Sequence, residues 1–177
     1  MNTDNQVIMF VANNEFQDEE FNAVKEELES ADIGVKIVAP EMDECHGVNG
    51  TVVEPDFTSD EVNADDFFGI IYIGGPGTDK LLDHTGAHVL AKTFNVNKKV
   101  VAAICWAPAI LAKAGVLQGK KATVWSGAKG DLVEGGAQYT AEHVTIDGNI
   151  ITADGPDSAV AFGQAVAKII IGSANQN

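Results

Sequence analysis

The chain has 177 residues, 26 of them acidic and 11 basic, for a net charge of −15. Every basic residue is a lysine; arginine is absent. Such a surface repels phosphate backbones and anionic lipid, which argues against nucleic-acid and membrane-surface partners. No apolar run approaches the ~20 residues of a membrane-spanning helix.

The length fits a single domain, 1–177. Residues 1–6 lack the basic-then-apolar pattern of an export leader, so a cytoplasmic location is expected. There Cys45 and Cys105 are expected as free thiols.

Residues 7–12 (VIMFVA) form an apolar run of strand length, ending in the polar turn Asn13-Asn14. From 18 to 31, Phe21, Val24 and Leu28 recur at helical spacing. Gly34 breaks that helix, and 35–39 reads as a second buried strand. The polar stretch 41–66, punctuated by Gly47, Gly50 and Pro55, predicts a hairpin or irregular excursion with 51–54 extended.

Residues 67–73 (FFGIIYI) give the next strand, running into Gly74-Gly75-Pro76-Gly77. A helix is expected over 87–94, a strand over 100–104 and a short helix over 107–114. Further strands are expected at 122–125, 144–146 and 150–152. Asp147-Gly148-Asn149 is a hairpin signal between the last two. Residues 158–171 predict a final helix, with Asp157 or Ser158 as its cap.

Strands apolar on both faces, separated by helices, imply an α/β sandwich around a mainly parallel sheet. Functional groups in such sheets gather at the carboxyl ends of the strands. Three turns are expected there: 13–18, 74–77 and 105–108.

The last of these carries the chemistry. In VVAAICWAP the cysteine follows a buried strand and precedes a helix whose first turn Pro108 suits. That is the arrangement of a nucleophile elbow. A helix N-terminus lowers a thiol pKa, so a thiolate at neutral pH is expected for Cys105. The competing reading of Cys105 is a small buried hydrophobe. Gly74-Gly75 lets backbone approach closely, and the Gly75 and Trp106 N–H groups are the expected oxyanion donors.

At these residues the chain resembles the ThiJ/PfpI superfamily, whose fold is class I glutamine-amidotransferase-like. The resemblance runs through ANNEFQDEEF at 12–21, Cys45-His46-Gly47, residues 73–77, AICWAP at 103–108, AGVLQGKK at 114–121 and DGNIIT at 147–152. It implies a flavodoxin-like three-layer sandwich that forms homodimers or higher homo-oligomers. Members include stress proteins with chaperone-like roles, glyoxalase- or deglycase-type enzymes, isonitrile hydratases and reputed proteases.

The departures are informative. Relatives hold a glutamate beside the cysteine in the first strand–helix turn, and the alignment brings Gln17 to that position. Glu15 or Glu19 is the alternative if the turn is remodelled. An amide donates a hydrogen bond but cannot exchange a proton, which forfeits acid–base help of about 10²–10⁴ in rate.

Branches of the family carry a histidine directly after the cysteine or at the end of a later strand. This chain has Trp106 and Trp125 there, and indole is no base. A peptidase is thereby disfavoured.

The remaining candidates read as structural. His46 belongs to the hairpin motif, and His84 and His88 read as solvated surface with no third metal ligand nearby. His143 is expected to be exposed. The acids Asp18, Glu19, Glu20, Glu26, Glu27 and Glu29 are expected to form the solvated face of the first helix. No metal or cofactor is indicated.

Two readings follow. The favoured one is a divergent, stress- or redox-related family member with a reactive Cys105 and weak or no ordinary family catalysis. The other is a cysteine-dependent enzyme on a small electrophile. It needs a substitute for proton transfer: Glu15, Asp18 or bulk water.

Overall fold

The computed structural model describes residues 5–174. In chain order the strands are β1 (Gln6–Phe10), β2 (Asn14–Phe16), β3 (Gly34–Ala39), β4 (Cys45–Gly47), β5 (Val52–Val53) and β6 (Phe57–Thr58). They continue with β7 (Gly69–Tyr72), β8 (Val100–Ile104), β9 (Lys121–Ala122), β10 (Gln138–Tyr139), β11 (Val144–Asp147) and β12 (Ile150–Ala153). The helices are α1 (Asp18–Ser30), α2 (Thr85–Val96), α3 (Pro108–Lys113), α4 (Lys129–Glu134) and α5 (Ala159–Ala174). No helix among the described residues is long and apolar enough to cross a membrane.

Seven strands form the central sheet in the order β11-β12-β8-β7-β1-β3-β6. All neighbours are parallel except the β11–β12 hairpin, where Val144 faces Ala153 and Asp147 faces Ile150. Side chains alternate across the strands, so each contributes to two cores. On one face Ile8, Phe10, Ile70, Tyr72 and Val101 meet Phe94 of α2 and Leu111 of α3. On the other, Val7, Met9, Ile71, Ala102 and Ile104 meet Phe21, Val24 and Leu28 of α1 and Phe162 and Val166 of α5. The architecture is the mainly parallel three-layer sandwich expected from the sequence.

Two elements depart from the expected order. The strand expected over 122–125 ends at Ala122. Beyond it the Thr123 N–H donates to the Thr152 hydroxyl at 2.9 Å, and the Trp125 N–H to the Cys105 carbonyl at 2.8 Å, instead of extending a ladder. Helix α4, absent from the sequence reading, buries only Leu132. One inward side chain in six residues gives no periodicity to detect.

The excursion at 41–66 contains the hairpin β4–β5, which joins β2 in a small second sheet. Asp18 fastens it to α1. Its carboxylate is buried and accepts the Asn49 N–H at 2.8 Å and the Thr51 N–H at 2.7 Å. Gly47 lies flat against that carboxylate, where a Cβ would collide with it. Asp18 is therefore no part of a solvated face.

Burial pushes its pKa up, but the hydrogen bonds from Thr51 and Asn49 outweigh burial and hold it below the ordinary value. A carboxyl with a lowered folded pKa stabilises above its unfolded pKa, and the gain is lost as pH falls through the folded one. Asp18→Ala strands two amides in the hairpin turn and is expected to cost about 2–4 kcal/mol in urea unfolding at pH 7. The deficit should shrink in acid.

Candidate active site

The three carboxyl-end turns converge. Gln17 ends the first of them, and its N–H donates to the Gly74 carbonyl at 2.9 Å. Gly75, at φ +117°, lies against the backbone of Glu15, Phe16 and Gln17, so that an added Cβ would sit 2.5 Å from the Glu15 carbonyl oxygen. Gly74 meets the elbow in the same way, with 2.6 Å left between a notional Cβ and the Cys105 Cβ. Three loops therefore share one small volume, and glycine is the residue that permits it.

Cys105 has φ +62°. A non-glycine residue there stores about 1–3 kcal/mol of strain, a conformation that persists only when its surroundings enforce it. The enforcing contacts are the Cys105 N–H to the Ala153 carbonyl at 2.9 Å and the Trp125 N–H to the Cys105 carbonyl at 2.8 Å. The thiol is partly buried, and the backbone amides of Trp106 and Gly75 lie near enough to the sulfur to pull its pKa down.

The carboxyl beside the sulfur belongs to Glu20, not to Gln17, Glu15 or Glu19. Glu20 is fully buried at 0% exposure. Its Oε2 accepts the Gly74 N–H at 3.0 Å, its Oε1 has no hydrogen-bond partner, and the carboxyl lies close enough to the Cys105 thiol for each to shift the other's pKa. The family's glutamate position is thus vacated by Gln17, and a carboxyl returns one helical turn later. Gln17 caps α1 through its backbone, while its side-chain Oε1 is buried without a partner.

The sequence does carry a signal for Glu20. Glu20, Val24 and Leu28 recur every four residues, and the last two are core. An acid in register with a buried stripe is a candidate for a buried carboxyl.

Burial raises the Glu20 pKa to about 7, against the smaller lowering effects of the Cys105 and Gly74 hydrogen bonds. Burial, then the Glu20 charge and hydrogen bond, push Cys105 up to about 12, with the Trp106 and Gly75 amides pulling the other way. The expected depression of the thiol is overturned. Helix α3 spans only six residues, and its N-terminal field is outweighed by desolvation and a neighbouring carboxylate. Burial and the neighbouring carboxyl together favour the thiol form of Cys105.

Trp106 and Trp125 flank the elbow, their rings 6.0 Å apart and tilted by 54°. Cys45 lies elsewhere, fully buried and pushed up to about 11 by its burial.

The histidines serve structure. His84 caps α2 by accepting the Ala87 N–H at 3.1 Å, and His88 Nε2 meets the Leu82 carbonyl at 2.8 Å, so neither is simply solvated surface. His46 is exposed, and the exposed His143 pairs with Asp154 at 2.9 Å. Among the described residues no group of three or more His, Cys, Asp or Glu is placed to hold a metal ion. A surface hollow of about 1010 Å³ includes Ser59, His84 and Thr93 and none of the elbow residues.

A parallel α/β sandwich with a cysteine in left-handed conformation between a strand and a helix defines a flavodoxin-like elbow protein. The DJ-1/PfpI family model matches residues 5–169, and the chain belongs to that family. It is 39% identical over 168 residues to an uncharacterised protein of Methanocaldococcus jannaschii, covering 93% of this chain and 82% of that one. It is 31% identical over 163 residues to the Pyrococcus furiosus protein named deglycase PfpI, covering 92% and 98%. The crystal structure of a ThiJ/PfpI domain protein from Brachyspira murdochii superposes with a TM-score of 0.94 at 31% identity, covering 97% of this chain and 99% of that one.

Proposed function

We propose that the protein is a cysteine-dependent enzyme acting on a small carbonyl electrophile, with Cys105 as nucleophile and Glu20 as its proton acceptor. The observation that carries this reading is the buried Glu20 carboxyl against the Cys105 thiol. It removes the reason to favour a catalytically degraded member, which was the absence of any proton-exchanging group at position 17.

In the proposed step the sulfur adds to the carbonyl carbon as its proton passes to the Glu20 carboxylate. The carbonyl π pair moves to oxygen, within reach of the Gly75 and Trp106 amides. Protonated Glu20 then returns the proton to that oxygen. With methylglyoxal the regenerated carboxylate takes the C1 proton and returns it at C2 by way of an enediol, and water cleaves the resulting thioester, releasing lactate and the free thiol. A catalytic base with a pKa near 7 is matched to neutral pH, because it is both available as carboxylate and driven to accept a proton. A relative named deglycase is consistent with carbonyl chemistry.

The test is consumption of methylglyoxal by the wild-type protein and by Cys105→Ala. Loss of all turnover in the variant, with Cys45→Ala unaffected, supports the reading; equal consumption by all three sinks it.

A second reading keeps the thiol but not the turnover. Up to about pH 7 the protonated Glu20 would donate to the oxygens of a sulfinic Cys105. It predicts stoichiometric oxygen addition at Cys105 under peroxide, in a protein that leaves methylglyoxal untouched.

A further inference from the structure

The chain has two tryptophans, and both stand at the elbow. Trp125 is 46% exposed, an unusual setting for the largest apolar side chain. It is nevertheless held firmly. Its N–H is bonded to the Cys105 carbonyl at 2.8 Å, and its own carbonyl accepts the Ala128 N–H at 2.9 Å.

Beneath the ring lies Gly127, so close that a Cβ there would sit 2.2–2.7 Å from three atoms of the six-membered ring. An indole seated on a glycine, fixed through its backbone to the nucleophile residue and open to solvent is a prepared surface.

The charge around it narrows what it receives. The chain carries −15 and no arginine. Of the two lysines four residues away, Lys129 has its ammonium drawn over the Tyr139 ring at 4.8 Å, and Lys121 lies beside the Asp147 carboxylate. Glu20 adds a carboxylate beside the thiol above pH 7. An aromatic face binds cations and flat π systems, and an acidic surround concentrates cations while repelling anions. Trp106, whose Nε1 is buried without a partner, supplies the second wall.

We propose that Trp125, seated on Gly127, binds a planar cationic group of the substrate. Cys105 then receives carbonyl compounds carrying an amidinium- or guanidinium-type group in preference to carboxylated ones. The assignment of the carbonyl to Cys105 rests on the function proposed above; the assignment of the cation to Trp125 does not.

Because both indoles lie at the site, intrinsic fluorescence reads binding directly. Benzamidinium is the planar cation, benzoate its anionic counterpart of similar shape. Benzamidinium is expected to change the emission saturably and to slow iodoacetamide labelling of Cys105, while benzoate does neither. Trp125→Ala, with Trp106 left as reporter, should weaken benzamidinium about fivefold. Gly127→Ala, which displaces the ring, should act in the same direction.

Equal binding of benzoate, or unchanged binding by Trp125→Ala, overturns the proposal. If benzamidinium binds while Cys105→Ala consumes methylglyoxal as fast as wild type, the nucleophile reading fails and the platform stands.

Discussion

Replacing Glu20 by glutamine is expected to slow Cys105-dependent addition to methylglyoxal about 10²–10⁴-fold while making the protein more stable at pH 8. The two effects share one cause. The buried carboxyl has its pKa raised from 4.5 to about 7, chiefly by burial. Between those values the folded state holds a proton that the unfolded chain has released. Stability from this group is therefore full below the unfolded pKa and is lost as pH rises through about 7. The loss integrates to about 3 kcal/mol.

Glutamine carries no charge to desolvate and escapes that loss, so urea midpoints of variant and wild type should diverge as pH climbs from 5 to 8. Activity runs the other way. Wild-type rate should rise through pH 7 as the base forms, and Glu20→Gln should lack that limb. Its residual rate should instead climb at higher pH, because removing the carboxylate relieves one of the effects that hold the thiol up. Gln17→Ala, by contrast, should cost less than tenfold. A Glu20→Gln variant that is as active as wild type and no more stable at pH 8 would remove Glu20 from the site.

The sheet was legible because its signals are local. Continuous apolar runs such as Val100–Ile104 mark strands buried on both faces, and Asp147-Gly148-Asn149 marks the one antiparallel turn in the main sheet. The elbow was legible for the same reason: strand, cysteine and proline are adjacent in sequence.

The proton acceptor was not, because its identity depends on which acid of a dense run points inward. Asp18, Glu19 and Glu20 are chemically near-equivalent in sequence. In the structure Asp18 clamps a hairpin, Glu19 is exposed and Glu20 reaches the sulfur. Matching position 17 to the family's glutamate followed the chain and missed that a helix offers the same direction again three residues later. The platform at Trp125 was hidden by a different error. A strand expected through 125 makes Trp125 one more sheet residue, whereas the real backbone leaves the ladder at Ala122 and turns the indole outward.

The glycine pair carries the other large effect. Gly75→Ala is expected to destabilise the protein by about 3 kcal/mol or more and to abolish Cys105-dependent turnover. Position 75 fails on two counts. Its φ of +117° is one that L side chains rarely adopt, and the added methyl would lie 2.5–2.8 Å from backbone atoms of Glu15, Phe16 and Gln17. None of these is the end of a flexible side chain, so relief requires parting the first turn from the second. That movement carries away the Gly75 amide from the sulfur and the Gly74 amide from Glu20 together.

Gly115→Ala is the control. Its φ of +77° is also unfavourable to alanine, but nothing lies within 4 Å of the new methyl. It should cost only about 1–2 kcal/mol and leave turnover intact. Comparing the two in urea separates conformational strain, common to both, from the collision unique to position 75. Equal destabilisation would mean that the three turns are not held as closely as the site requires, and the shared environment of Cys105, Glu20 and Gly75 would have to be given up.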